Sequence, residues 1–175
     1  MSELTGRMSV AEGDITKLEV DAIVNAANDR LAPGGGVCGA IHKAAGLQLA
    51  AACMEIGRCP TGQARITPGF KLKAKHVIHA VGPVWNGGKQ GEDELLASAY
   101  RASLDIARDR GIETIAFPAI STGIYAFPYA RATAIAVKTV AEFLRANELP
   151  KRVVFACFGD DVAALYRKTL AEAGL

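Results

Sequence analysis

The chain has little of several things, and each scarcity narrows what it can be. Its 175 residues carry a formal charge of only +2, with acids and bases mixed along the length. Such a balance gives no support to a basic nucleic-acid face or a polybasic membrane anchor. No apolar run reaches the length of a membrane span, and Met1–Arg7 has neither an apolar h-region nor a cleavage site. Cysteine is sparse: Cys38, Cys53, Cys59 and Cys157 are too few and too scattered for a disulfide framework, and no CxxC occurs. A cytosolic protein with reduced thiols is the expectation, with Cys53 and Cys59 idle near a helix exit and Cys157 in the core. Low-complexity runs, repeats and linkers are missing as well. With half the residues apolar, the chain is expected to fold as one domain over residues 1–175.

Short strands are expected at Met8–Glu12, Ala22–Asn25, Ala64–Thr67, His76–Val81, Thr114–Phe117 and Arg152–Phe158. Gly39–Ile56 has helical composition. Leu95, Leu96, Ala99, Tyr100, Leu104 and Ala107 recur at helical spacing before Gly111 closes that helix. Pro128 opens another helix running through Leu144, and Asp160 or Asp161 caps a last one to Ala173. The order is mostly strand–helix–strand, which predicts a three-layer α/β/α sandwich around a mixed, mostly parallel sheet.

The densest local signal is Asn25-Ala26-Ala27-Asn28 followed by Gly34-Gly35-Gly36-Val37-Cys38-Gly39-Ala40-Ile41-His42. An amide-rich strand end leads to a glycine loop and a helix start, the way backbone N–H groups are brought up to a diphosphate. Gly34 to Gly39 matches GxGxxG, but a dinucleotide-binding fingerprint needs a tight turn directly after its strand and an acid ending the next one. Here a loop containing Pro33 intervenes and Glu55 falls in helical sequence, which removes that reading.

A second cradle, Pro118-Ala119-Ile120-Ser121-Thr122-Gly123-Ile124-Tyr125, follows a buried strand. Alone it is an ordinary connection; opposite the first loop it forms the other half of a diphosphate site, with Tyr125 offering a ring to a sugar. Asp14, in Gly13-Asp14-Ile15-Thr16, reads by itself as a turn or cap. Its functional reading is a carboxylate that accepts the exocyclic amine of adenine, with Phe158 stacking on the base.

Taken together, Gly13–Thr16, Val20–Asn28, Gly34–His42, His76–Trp85 and Phe117–Tyr125 resemble the macrodomain family, specifically its MacroD-type branch of ADP-ribose hydrolases. The resemblance runs from Gly13 to about Leu170. It implies ADP-ribose in a cleft above the sheet, with Asp14 and Ile15 on adenine and Phe158 against it. Gly35, Gly36 and Val37 would wrap the diphosphate together with Ser121, Thr122, Gly123 and Ile124. Asn28 would bond the distal ribose hydroxyls, and Tyr125 would press on that ribose. The implied reactions are deacylation of O-acetyl-ADP-ribose and removal of mono-ADP-ribose from acidic side chains of proteins, with no metal or redox cofactor. The other reading is a module that binds ADP-ribose without turning it over.

Position 38 separates the two. In the hydrolysing branch aspartate follows Gly-Gly-Gly-Val; here the residue is Cys38. A carboxylate is ionised at neutral pH and accepts hydrogen bonds, whereas an ordinary thiol is neutral and a poor acceptor, so a reduced rate is expected. A helix start opposes that, because its free N–H groups favour thiolate, which can serve as base or nucleophile. The catalytic expectation is therefore Asn28 with Cys38. His42 lies one turn further along the same helix, a weak match to a Cys–His pair. His76 and His79 are offset by three on one strand and are expected on different faces, as structural residues.

Overall fold

The computed structural model describes Leu4 and residues 6–175. Six strands, β1 (Met8–Glu12), β2 (Ala22–Ala26), β3 (Ala64–Pro68), β4 (His76–Ala80), β5 (Thr114–Phe117) and β6 (Arg152–Cys157), form one sheet in the order β1-β6-β5-β2-β4-β3. Every neighbouring pair is parallel except β3 with β4, which close as an antiparallel hairpin at one edge. Five helices cover it: α1 (Gly36–Ala45), α2 (Leu47–Ile56), α3 (Glu92–Asp109), α4 (Tyr129–Ala146) and α5 (Asp160–Glu172).

Alternation along the strands sorts the core into two layers. Ala22, Val24, Ile78, Ile115, Phe117, Val153 and Phe155 point to one face, where Leu96, Tyr100, Val140 and Tyr166 of α3, α4 and α5 pack on them. Ile23, Val77, Ala116 and Ala156 point to the other, beneath Ile41, Ala45, Leu49 and Cys53 of α1 and α2. The predicted three layers are thus present. They explain why the central strands read as apolar runs rather than as strict alternation: both faces are covered.

Three expectations need correction. Gly39–Ile56 is not one helix. It begins at Gly36 and breaks at Gly46, whose φ of +90° ends α1 and starts α2 at an angle of 113°. Left-handed backbone of that kind is open to glycine and strained for other residues. Neither Asp160 nor Asp161 caps α5; Gly159 holds that place and the two carboxylates lie inside the first turn, where they complement the helix dipole. The helix after Pro128 runs on to Ala146. Among the described residues no single helix is long and apolar enough to cross a membrane.

Candidate ligand cleft

A cleft of about 620 Å³ opens at the carboxyl ends of the parallel strands. Its walls come from the segments after β1 (Gly13–Ile15), β2 (Ala26–Asn28), β5 (Pro118–Tyr125) and β6 (Phe158), together with the start of α1. β2 and β5 are neighbours whose following chains leave over opposite faces of the sheet, the place where open α/β sheets leave a crevice. Every residue expected at the site lines this one cleft: Asp14, Ile15, Asn28, Gly35, Gly36, Val37, Cys38, Ser121, Thr122, Gly123, Ile124, Tyr125 and Phe158.

The first loop is organised by Asn28. Its Oδ1 accepts from the N–H groups of Arg30 and Ala32, both at 3.1 Å, and its Nδ2 donates to Ala32 O at 2.8 Å. Most of the amide is thereby committed to its own turn, leaving one Nδ2 hydrogen for a ligand. At the N-terminus of α1, Gly35 supplies no capping side chain, so the amides of the first turn face the cleft without one. Cys38 is the third residue of that helix and is buried, 6% exposed. Its thiol points to Ala32 O at 3.7 Å, and Asn25 Nδ2 donates toward the sulfur at 3.8 Å.

The second loop is strained. Ser121 has φ of +67° and its buried Oγ has no hydrogen-bond partner, although the residue lines the cleft. A non-glycine residue in this region costs roughly 1–3 kcal/mol, which the surrounding contacts must hold in place. The loop packs so tightly onto Gly82 that a Cβ there would run into Ser121 Oγ and Ile120. Ile124, 83% exposed, reaches over the cleft to Gly35 on the opposite loop. Burial, and then the charges of Asp29 and Cys38, push the Tyr125 phenol up from its ordinary range. Its carbonyl accepts from Trp85 N at 2.8 Å. Trp85 in turn packs on Phe127 and lies beneath the Arg131 guanidinium.

At the other end, Asp14 Oδ1 accepts from Thr16 Oγ1 at 2.7 Å and Thr16 N at 2.9 Å. Those two bonds, the side-chain one foremost, lower its pKa and leave Oδ2 free. Phe158 stands 84% exposed at the cleft rim. Sequence reading missed Tyr129, Ala156 and Val162, which also line the cleft. Tyr129 directly follows the second loop, and Val162 sits one turn beyond Phe158, so proximity to the motifs was the available signal.

None of the three histidines lines the cleft. The ring nitrogens of His42 have no partner, so no Cys38–His42 pair forms, and burial lowers its pKa. His79 is fully buried and bonds Asn25 and Thr67. Burial, and then nearby His42, push its pKa down to about 4. Cys53, Cys59 and Cys157 are all buried. Among the described residues no group of three or more His, Cys, Asp or Glu side chains is placed to hold a metal ion.

Fold and cleft together define an α/β domain built around a crevice walled by two loops and the start of a helix, with an aromatic rim. Comparison with known proteins makes the class specific. The Macro domain family model matches residues 24–136. A Macro domain-containing protein of Methanosarcina mazei is 57% identical over 166 residues, covering 95% of this chain and 89% of that protein. A Salmonella typhimurium protein named O-acetyl-ADP-ribose deacetylase is 53% identical over 175 residues, covering 98% of each. Among solved structures, an Oceanobacillus iheyensis macrodomain mutant with ADPR superposes with a TM-score of 0.90 at 40% identity, over 95% of this chain and 91% of that one. A Trypanosoma brucei macrodomain in complex with ADP-ribose gives 0.89 at 39% identity, over 94% and 69%. The chain belongs to the Macro domain family.

Proposed function

We propose that the protein binds ADP-ribose in this cleft and hydrolyses its esters, deacetylating O-acetyl-ADP-ribose and releasing mono-ADP-ribose from acidic side chains of proteins. The carrying observation is the pairing of two amide-bearing loops, Gly35–Val37 and Ser121–Ile124, across one crevice that ends in Asp14 and Phe158 on one side and Asn28 and Cys38 on the other. Two loops of backbone donors suit a diphosphate. Asp14 Oδ2 takes the exocyclic amine of adenine, and Phe158 stacks on the ring. Asn28 uses its remaining N–H on the distal ribose, and Tyr125 holds that sugar near attack geometry. The named activity of the Salmonella relative supports hydrolysis, and the two ligand-bound neighbours support the choice of ADP-ribose. We place the protein in the cytoplasm on its four unbridged thiols.

Cys38 takes the position of the usual carboxylate, as base toward water or as nucleophile toward the ester carbonyl. A thiol there favours the second reading, a binding module without turnover. Calorimetric titration with ADP-ribose and a deacylation assay on the wild type, Cys38→Asp and Cys38→Ala separate the two. All three proteins should bind. Cys38→Asp should turn over faster than wild type by about 10²-fold, the lower end for general acid–base help, and Cys38→Ala should lose turnover. Binding with no turnover in the wild type, restored by Cys38→Asp, leaves the module. No binding at all overturns the assignment of the ligand.

A further inference from the structure

Beneath the distal end of the cleft lies a buried polar chain that the proposed hydrolysis does not use. Asn25 of β2 and His79 of β4 sit opposite each other in the sheet register, on the face covered by α1 and α2. Asn25 is 1% exposed and His79 is 0% exposed. Asn25 Nδ2 lies 3.1 Å from His79 Nδ1 and 3.8 Å from Cys38 Sγ. His79 Nε2 lies 3.0 Å from Thr67 Oγ1, which also lies within donating distance of Pro68 O, at 3.1 Å.

The direction of these contacts follows from one premise: with the Thr67 hydrogen on Pro68 O, the Thr67 oxygen is left to accept from His79 Nε2–H. A neutral imidazole has one N–H, and with that hydrogen on Nε2 the Nδ1 atom must accept. Asn25 therefore turns its NH2 group, not its oxygen, toward His79, and its second hydrogen meets the Cys38 sulfur. The cost is visible: Asn25 Oδ1 is buried with no partner. Reversing the amide would set oxygen against an imidazole lone pair. We propose that His79 and Thr67 are positioning residues that orient the Asn25 amide so that an N–H donor is held on the Cys38 sulfur.

A donor there stabilises negative charge on sulfur and opposes the loss of the aspartate, which rests on the cleft's being the reacting site proposed above. The other titratable groups whose charge reaches this sulfur are Cys53 of α2 and Tyr125 of the second loop, and His42 lies one turn along α1. Cys53 Sγ, 3.7 Å from His79 Nε2, gives the chain an alternative. Without the Thr67 oxygen, the imidazole hydrogen is free to move to Nδ1 while Cys53 donates to Nε2. The Asn25 amide would then reverse and present oxygen to Cys38.

Two measurements test this on the full chain. Nitrogen-15 NMR of histidine-labelled wild type reads the tautomer; the expected state is His79 protonated on Nε2, and an Nδ1-protonated ring overturns the proposal without any variant. Iodoacetamide labelling, resolved by peptide mass spectrometry, follows Cys38 as a function of pH in wild type, Thr67→Val and Thr67→Ser. Thr67→Val should slow Cys38 alkylation at neutral pH by about tenfold, the scale of one hydrogen bond to a charged group, and move the profile to higher pH. Thr67→Ser should restore it. Equal profiles in wild type and Thr67→Val overturn the assignment. Calorimetry with ADP-ribose serves as the check on fold and cleft, with affinity expected within about twofold in all three. If the wild type fails to bind ADP-ribose, the functional reading falls, while NMR and labelling still decide the orientation of the chain.

Discussion

The two faces of the sheet are packed with different chemistry. Toward α3, α4 and α5 the strands bury only apolar side chains, Val24, Ile78, Ile115, Phe117, Val153 and Phe155 among them, and the polar atoms on that side come from the helices. Ser103 returns its hydroxyl to Ala99 O, Tyr100 Oη donates to Pro118 O at 3.4 Å, and the Tyr100 and Tyr166 hydroxyls bond each other. Toward α1 and α2 the strands present Ile23, Val77 and Ala116, but also Asn25, His79 and Thr67 in a connected chain. The polar residues lie under the end of the cleft that holds Cys38. The face with apolar strands supplies stability mainly through area removed from water. On the other face, some of that gain is exchanged for hydrogen bonds that orient groups at the site.

Phe117→Ala breaks the face with apolar strands. The ring is fully buried and packs on Tyr100 with centroids 4.9 Å apart. Its loss should destabilise the fold by about 3–5 kcal/mol, read by urea unfolding, while ADP-ribose affinity well below the melting temperature stays close to wild type. Equal damage to affinity and stability would mean that the two faces are not separable.

The polar face should show itself in the pH dependence of stability. His79 titrates at about 4 in the folded protein and near 6.5 when unfolded. Between those values the unfolded chain binds the extra proton, so stability is full above about pH 6.5 and falls as pH drops toward 4. The loss from this one group is about 3 kcal/mol. Urea denaturation across that range in wild type and His79→Gln measures it; the variant should lack this part of the slope.

The smallest expected effect concerns the rim. Phe158 contributes little to the core, being 84% exposed. Phe158→Ala should leave stability nearly unchanged and weaken ADP-ribose binding by about tenfold, as for loss of one aromatic–base stack. Calorimetry with ADP-ribose and with ribose 5-phosphate, which has no base, distinguishes a stacking loss from a general one.

Much of this was legible along the chain. Pro118–Tyr125 and Gly34–Cys38 announced themselves because glycine and hydroxyl spacing reports local backbone demands, and all the site residues named from them line the cleft. Strand positions were readable from apolar runs, since both faces of the sheet are covered. The helix break at Gly46 was hidden by alanine-rich sequence on either side, which favours helix whatever its direction. Asp160 and Asp161 looked like caps because their side chains suit that place; backbone geometry gave it to Gly159.

Sequence alone determined the layered α/β fold, the two glycine- and hydroxyl-bearing loops and the thiol at the start of a helix, because each rests on neighbours within a few residues. Only the tertiary structure decided what the thiol touches. Asn25 and His79 are 54 residues apart, and Thr67 joins them only because β3 turns back against β4 at the sheet edge. A hydrogen-bond chain across three strands depends on strand order and register. Those are set by the packing of the whole sheet and leave no periodic trace in any one segment.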